Sequence, residues 1–119
     1  LLFTESEEDG LHRGLNLMRG RVVKLPKSVK IPQMGWNTID IKRKSALLEG
    51  IKDGEYLYFV HSYYAAPEED VTTATAEYGV KFAAVVEKGS IYATQFHPEK
   101  SGGAGLRMLK NFIELVRTI

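Results

Sequence analysis

The chain has 119 residues, 44% hydrophobic and 26% charged, the balance of one ordinary globular domain rather than of a disordered chain. Its 16 Lys and Arg nearly cancel 15 Asp and Glu, leaving a formal charge of +1 and no basic stripe of the kind nucleic-acid binders show. No apolar run approaches the ~20 residues that span a bilayer, and the absence of cysteine excludes disulfides, thiolate metal sites and a cysteine nucleophile from within this chain.

Leu1-Leu2-Phe3 is apolar, and the acidic run Glu5-Ser6-Glu7-Glu8-Asp9 follows at once. The opening reads as the last turn of a helix that begins upstream, so the expectation is an incomplete single domain over residues 1–119. Residues 17–23 form a short strand candidate after a Gly-rich turn over 10–14. Pro26 and Pro32 bracket a loop. Residues 36–41 alternate apolar and polar as a loose strand, residues 45–50 suit a helical turn, and 52–55 form a turn. The aromatic-rich residues 56–64 make the strongest strand. Residues 71–78 alternate Thr and Ala as another strand, and 82–87 and 91–96 flank Lys88-Gly89-Ser90 as a hairpin. From residue 104 to 119, Leu106, Leu109, Phe112, Ile113 and Val116 recur at helical steps, predicting a one-sided helix that covers a core. Strands followed by a packing helix imply a mixed sheet in an α/β or α+β fold.

Three histidines are the candidates for chemistry near neutral pH. His12 sits in the polar turn region and reads as solvated. His61 lies within the aromatic strand and faces either the core or a binding surface. His97 ends an apolar strand and is followed by Pro98-Glu99. In an extended segment, residues two apart project to one side, so His97 and Glu99 can meet, with Pro98 stiffening the link. A carboxylate on one imidazole nitrogen fixes the tautomer and leaves the other nitrogen free as a base. By spacing alone a surface ion pair explains the same pattern. A metal site built on His61, His97 and a carboxylate matches no ligand-spacing signature. The glycines at 102, 103 and 105 lack the phosphate-loop pattern and read as loop and cap residues.

Gln95-Phe96-His97-Pro98-Glu99-Lys100-Ser101 resembles the His-Pro-Glu signature of the class I (triad) glutamine amidotransferases. Pro32-Gln33-Met34-Gly35-Trp36-Asn37 and Tyr58-Phe59-Val60-His61-Ser62-Tyr63 resemble the glutaminase subunits (HisH) of imidazole glycerol phosphate synthase, with Gln33 where many relatives carry His. The residues from Leu1 to Glu8 resemble the stretch just after that family's nucleophile elbow. The resemblance implies the C-terminal part of a flavodoxin-like domain with a Cys-His-Glu triad. The implied reaction is hydrolysis of glutamine to glutamate and ammonia in the cytoplasm, with no cofactor. Ammonia would pass to a (β/α)₈-barrel synthase of the HisF type, which forms imidazole glycerol phosphate and AICAR in histidine biosynthesis. By position, His97 matches the general base and Glu99 its orienting carboxylate. Glu8 matches a residue holding the substrate α-amino group, and Ser62 and Tyr63 line the glutamine site through main-chain groups. Trp36, Asn37, Tyr58 and Lys100 match the synthase interface.

The missing cysteine sets the limit of that resemblance. The family's nucleophile and oxyanion-binding segment fall before the position matched by Leu1, and neither Ser62 nor Ser101 sits on a nucleophile elbow. The expectations are therefore no turnover by this chain alone, and a complementing N-terminal half that brings the cysteine. Without such a cover, the apolar faces imply self-association or poor solubility. Other readings stay open at this point. The acidic run suits a solvated turn, Trp36 suits core, and the tyrosines suit cross-strand packing. The whole chain suits a non-catalytic binding module, or the glutaminase piece of another biosynthetic pathway.

Overall fold

The computed structural model describes residues 2–7 and 12–117. Among the described residues ten short strands precede one α-helix: β1 (Glu5–Ser6), β2 (His12–Arg13), β3 (Gly20–Lys24), β4 (Gln33–Thr38), β5 (Asp40–Ile41), β6 (Tyr56–His61), β7 (Tyr63–Pro67), β8 (Thr72–Glu77), β9 (Lys81–Lys88), β10 (Ile91–Thr94) and α1 (Gly102–Arg117). They form three sheets, ordered β2-β1-β3-β7, β10-β9-β8-β5 and β4-β6. Among the described strands the β1–β3 pairing is parallel and the others are antiparallel. The mixed-sheet expectation with a C-terminal helix holds.

β9 is the centre of the second sheet. Phe82 through Val86 are all buried, because β8 and β10 cover its edges and other elements cover both faces. The β8–β9 connection turns at Gly79, whose φ of +73° favours glycine; a Cβ there would stand 2.4 Å from a Val29 methyl. The β9–β10 hairpin falls where the sequence places it, with Gly89 in the turn at φ +61°.

The aromatic run 56–64 is two strands, not one. β6 pairs with β4, whereas β7 pairs with β3 in a different sheet. The crossing residue is Ser62, whose carbonyl accepts the Leu25 amide at 2.9 Å. The expected strand over 36–41 likewise divides into the end of β4 and β5 at Ile39, which is fully buried. Burial along β6 alternates, with Leu57, Phe59 and His61 inward and Tyr56, Tyr58 and Val60 outward.

Phe59 is the hub of the main core, with its ring edge-on to Phe82 at 5.9 Å and Phe96 at 5.6 Å. Ile39, Leu57, Val85 and Met108 complete its closest-packed part. A second cluster gathers Phe3, Met18, Val71, Ala83 and Val86.

The helix forms where its periodicity predicts, but it packs by a different face. Leu106, Leu109, Phe112, Ile113 and Val116 are exposed, while Gly105 and Met108 are buried and Ala104 and Leu115 are partly covered. Two features turn the helix. A Cβ on Gly105 would lie 1.9 Å from the Pro98 carbonyl oxygen, so this position makes the closest approach. Asn111 donates its side-chain amide to the Leu47 and Glu49 carbonyls at 2.9 and 2.8 Å, satisfying the turn over residues 45–50.

Candidate active site

The strand ending in β10 runs on through Gln95 and Phe96 and lays His97 beside the outer edge of β6. The His97 amide donates to the Tyr58 carbonyl at 2.9 Å. His97 itself is extended (φ −102°, ψ 99°), and Pro98–Lys100 then makes a single 3₁₀ turn. Pro98 suits the first position of such a turn, where its missing N–H has no partner to lose. The expected extended His97–Glu99 geometry is therefore replaced by a turn, and the turn brings the two side chains together.

His97 Nδ1 lies 3.1 Å from Glu99 Oε2. Among the described residues no hydrogen bond is made to Nε2, which leaves it open to accept a proton. The side chains are 40% and 56% exposed, which makes the pair geometrically defined but weakly held by its own attraction. The Glu99 carboxyl is held below its ordinary range, first by its own backbone N–H, and further by the His97 hydrogen bond and the nearby Lys100 ammonium. Glu99 is thus ionised near neutral pH and orients Nδ1–H.

His61 is built differently. It is buried, tilted against Phe59 and Phe82, and faces Gln33 across the β4–β6 register. Nδ1 lies 2.9 Å from the Tyr63 carbonyl and Nε2 lies 2.6 Å from the Gln33 side-chain amide. Burial lowers its pKa, the Tyr63 carbonyl opposing, so the ring is neutral near pH 7. The neutral ring donates Nδ1–H to the Tyr63 carbonyl; its Nε2 then accepts, and the Gln33 amide meets it by turning its NH2 rather than Oε1 toward the ring. Gln33 and His61 thus form a polar pair buried between β4 and β6. Among the described residues no group of His, Asp and Glu is arranged to hold a metal ion.

Trp36 and Tyr58 stand opposite each other in the β4–β6 register, edge-on at 5.7 Å, and Trp36 is 54% exposed. The Trp36 ring also reaches the start of α1 beside Gly102. With exposed Met34 and Tyr56 they form an outward apolar face adjoining the turn that carries Lys100. Asn37 lies on the other face of β4, with its amide donated to the Glu77 carbonyl at 2.9 Å. Ser62 and Tyr63 follow β6, and their carbonyls serve Leu25 and His61; neither bonds the His97–Glu99 pair. Glu8 lies outside the described residues. An apolar groove of about 160 Å³ between the first two sheets, lined by Phe3, Val22, Ala65 and Ala93, has no titratable side chain and offers no chemistry.

Sequence reasoning weighs Ser101 as a loop or cap residue and sets it aside as a nucleophile, and it misses the bonds its side chain makes. Ser101 is 2% exposed, and its hydroxyl donates to the His97 carbonyl at 2.6 Å while accepting the Tyr58 amide at 3.0 Å. Its only sequence signal is a small hydroxyl residue between the 3₁₀ turn and a glycine-started helix.

A mixed α/β fold ends a strand in an imidazole whose Nδ1 is held by a carboxylate, the geometry of a base and its orienting group. A match to the glutamine amidotransferase class-I family spans residues 12–115, and the chain belongs to that family. It is 54% identical over 118 residues to the imidazole glycerol phosphate synthase subunit HisH of Methanothermobacter thermautotrophicus, covering 98% of this chain and 59% of that protein. It is 52% identical to the subunit HisH of Moorella thermoacetica, covering 98% of this chain and 56% of that protein. The chain thus spans less than two thirds of the length of these relatives. A crystal structure described as that of a GMP synthase component from Thermoplasma acidophilum superposes with a TM-score of 0.66 at 21% identity, over 83% of this chain and 49% of that one; it shows the shared fold. No helix of the described residues is long and apolar enough to cross a membrane.

Proposed function

We propose that this chain supplies the histidine and glutamate of a Cys-His-Glu glutaminase that hydrolyses glutamine to glutamate and ammonia in the cytoplasm. The observation that carries the reading is the Nδ1–Oε2 contact of 3.1 Å with Nε2 left open. The chain contains no cysteine, so the thiol comes from a polypeptide segment outside these residues. His97 Nε2 takes the thiol proton as sulfur attacks the glutamine amide carbon, and Glu99 stabilises the imidazolium. His97 then returns the proton to the departing nitrogen, releasing ammonia and leaving a thioester. In the second half His97 draws a proton from the water that cleaves the thioester to glutamate. Glu8, Ser62 and Tyr63 hold glutamine in this reading.

The similarity to HisH supports a (β/α)₈-barrel cyclase of the HisF type as the acceptor of ammonia, with imidazole glycerol phosphate and AICAR as its products. The outward face of Trp36 and Tyr58, next to Lys100, is the docking surface, and Asn37 stiffens β4 beneath it. Exposed tryptophan at such a face is a common interface anchor. That same face, in a chain lacking a nucleophile, favours one second reading, a non-catalytic module that docks the barrel.

The test is to supply a cysteine-bearing N-terminal segment as a separate polypeptide and measure glutamate release. The glutaminase reading expects no turnover from this chain alone, and turnover on mixing that disappears with His97→Asn. Mixing without turnover, while the barrel still binds, would leave the docking module.

A further inference from the structure

We propose that Ser101 is a positioning residue for the His97–Glu99 pair; this deepens the glutaminase reading and rests on it. The pair is exposed and cannot hold its own geometry against solvent. The backbone that carries it is instead closed into a ring of hydrogen bonds. His97 N–H donates to the Tyr58 carbonyl, the Ser101 hydroxyl accepts the Tyr58 N–H, and the same hydroxyl donates to the His97 carbonyl.

A hydroxyl is suited to this place because it donates and accepts at once. The Tyr58 N–H and the His97 carbonyl are joined through it, so β6 and the 3₁₀ turn move together. The Ser101 amide also donates to the Pro98 carbonyl, and the Ser101 carbonyl receives the Gly105 amide. The side chain is therefore buried between strand, turn and helix, and its hydroxyl bonds backward to the turn rather than capping α1. Removal of the hydroxyl leaves the Tyr58 N–H without a partner and frees the turn to rotate. Glu99 then loses its fixed approach to Nδ1, and the imidazole loses its preferred tautomer.

The experiment measures the nitrogen chemical shifts of the His97 ring in this chain by ¹⁵N NMR, which report the tautomer without any need for turnover. The native chain should hold the proton on Nδ1. Ser101→Ala should move both ring nitrogens toward the values of Glu99→Gln, whereas Ser101→Thr, which keeps the hydroxyl, should restore them. Val85→Ala, a core truncation away from the pair, should lower thermal stability without moving His97. In the assembly with the cysteine-bearing segment, Ser101→Ala should lower kcat by about 10- to 100-fold with little change in KM, the scale of a small misplacement of a reacting group. Unchanged His97 nitrogens in Ser101→Ala would overturn the proposal. Should the alanine variant not fold, amide exchange in the native chain decides: a protected Tyr58 N–H supports the bridge, and an unprotected one refutes it. A native assembly that hydrolyses no glutamine would sink the glutaminase reading, while the NMR result would still judge Ser101.

Discussion

At the residue scale, the two histidines of the β6 region have opposite environments and, under the proposed function, opposite uses. His97 keeps one nitrogen open, so His97→Asn in the reconstituted assembly should lower glutamate release by about 10²- to 10⁴-fold, the range for a lost general base, with binding of the partner segment unchanged by pull-down. His61 is a structural neutral imidazole. Its folded-state pKa is depressed, so the folded chain binds fewer protons than the unfolded chain as the pH falls through the ordinary imidazole value near ~6.5. Stability is therefore full above that value and falls as the pH drops below it, with a slope of at most ~1.4 kcal/mol per pH unit until the depressed pKa is passed. Urea unfolding between pH 7.5 and 5, conditions chosen around that ~6.5 value, should show the decline. His61→Gln should flatten it.

The spacing of His97 and Glu99 is readable as a pairing, but not its form. A two-residue spacing suggests a strand, and Pro98 instead starts a 3₁₀ turn that closes the contact. The sequence names Ser101 but not its bonds, because they reach partners brought together by the fold, including Tyr58, 43 positions away.

At the scale of elements, the C-terminal helix separates pattern from packing. Leu106, Ile113 and Val116 of its apolar stripe point outward, Phe112 meets Tyr92 edge-on at the rim of the core, and the buried line runs through Gly105 and Met108. Met108→Ala should cost about 2–5 kcal/mol in urea unfolding, as a cavity in the core. Ile113→Ala should stay within ~0.5 kcal/mol, as an exposed change. Equal costs for the two would show that the helix packs by the other face. Gly105→Ala should be destabilising by about 1–3 kcal/mol or more, since the new methyl meets the Pro98 carbonyl. The aromatic run 56–64 carries a parallel lesson. Its strand propensity is continuous, but β6 and β7 belong to different sheets, and the break at Ser62 answers to β3 and β4, which no local pattern contains.

At the scale of the molecule, two apolar surfaces face outward, and the proposed function makes the first a docking surface. Trp36 and Tyr58 form the first, beside the turn. Under the proposed function, Trp36→Ala should weaken binding to a (β/α)₈-barrel synthase by about 1–2 kcal/mol, measured by calorimetry, because a tryptophan anchor carries energy of that order. Retained affinity would assign docking to another face. Leu106, Ile113 and Val116 form a second surface on α1.

What the sequence by itself determined is the family resemblance and the later elements, the strands near 72–77 and 81–88, the hairpin to 91–94 and the C-terminal helix, whereas β1 and β2 and the splits at Ile39 and Ser62 were not in it. Composition excludes several functions outright, hydrophobic periodicity marks strands and helix, and the His-Pro-Glu stretch carries its own resemblance. What only the tertiary structure decided is which faces are inside and which backbone groups hold the pair in place. Periodicity shows that a face is apolar, yet it does not say which neighbour will cover it. That choice depends on contacts between residues far apart in the chain, such as the close approach at Gly105 and the hydroxyl bridge of Ser101.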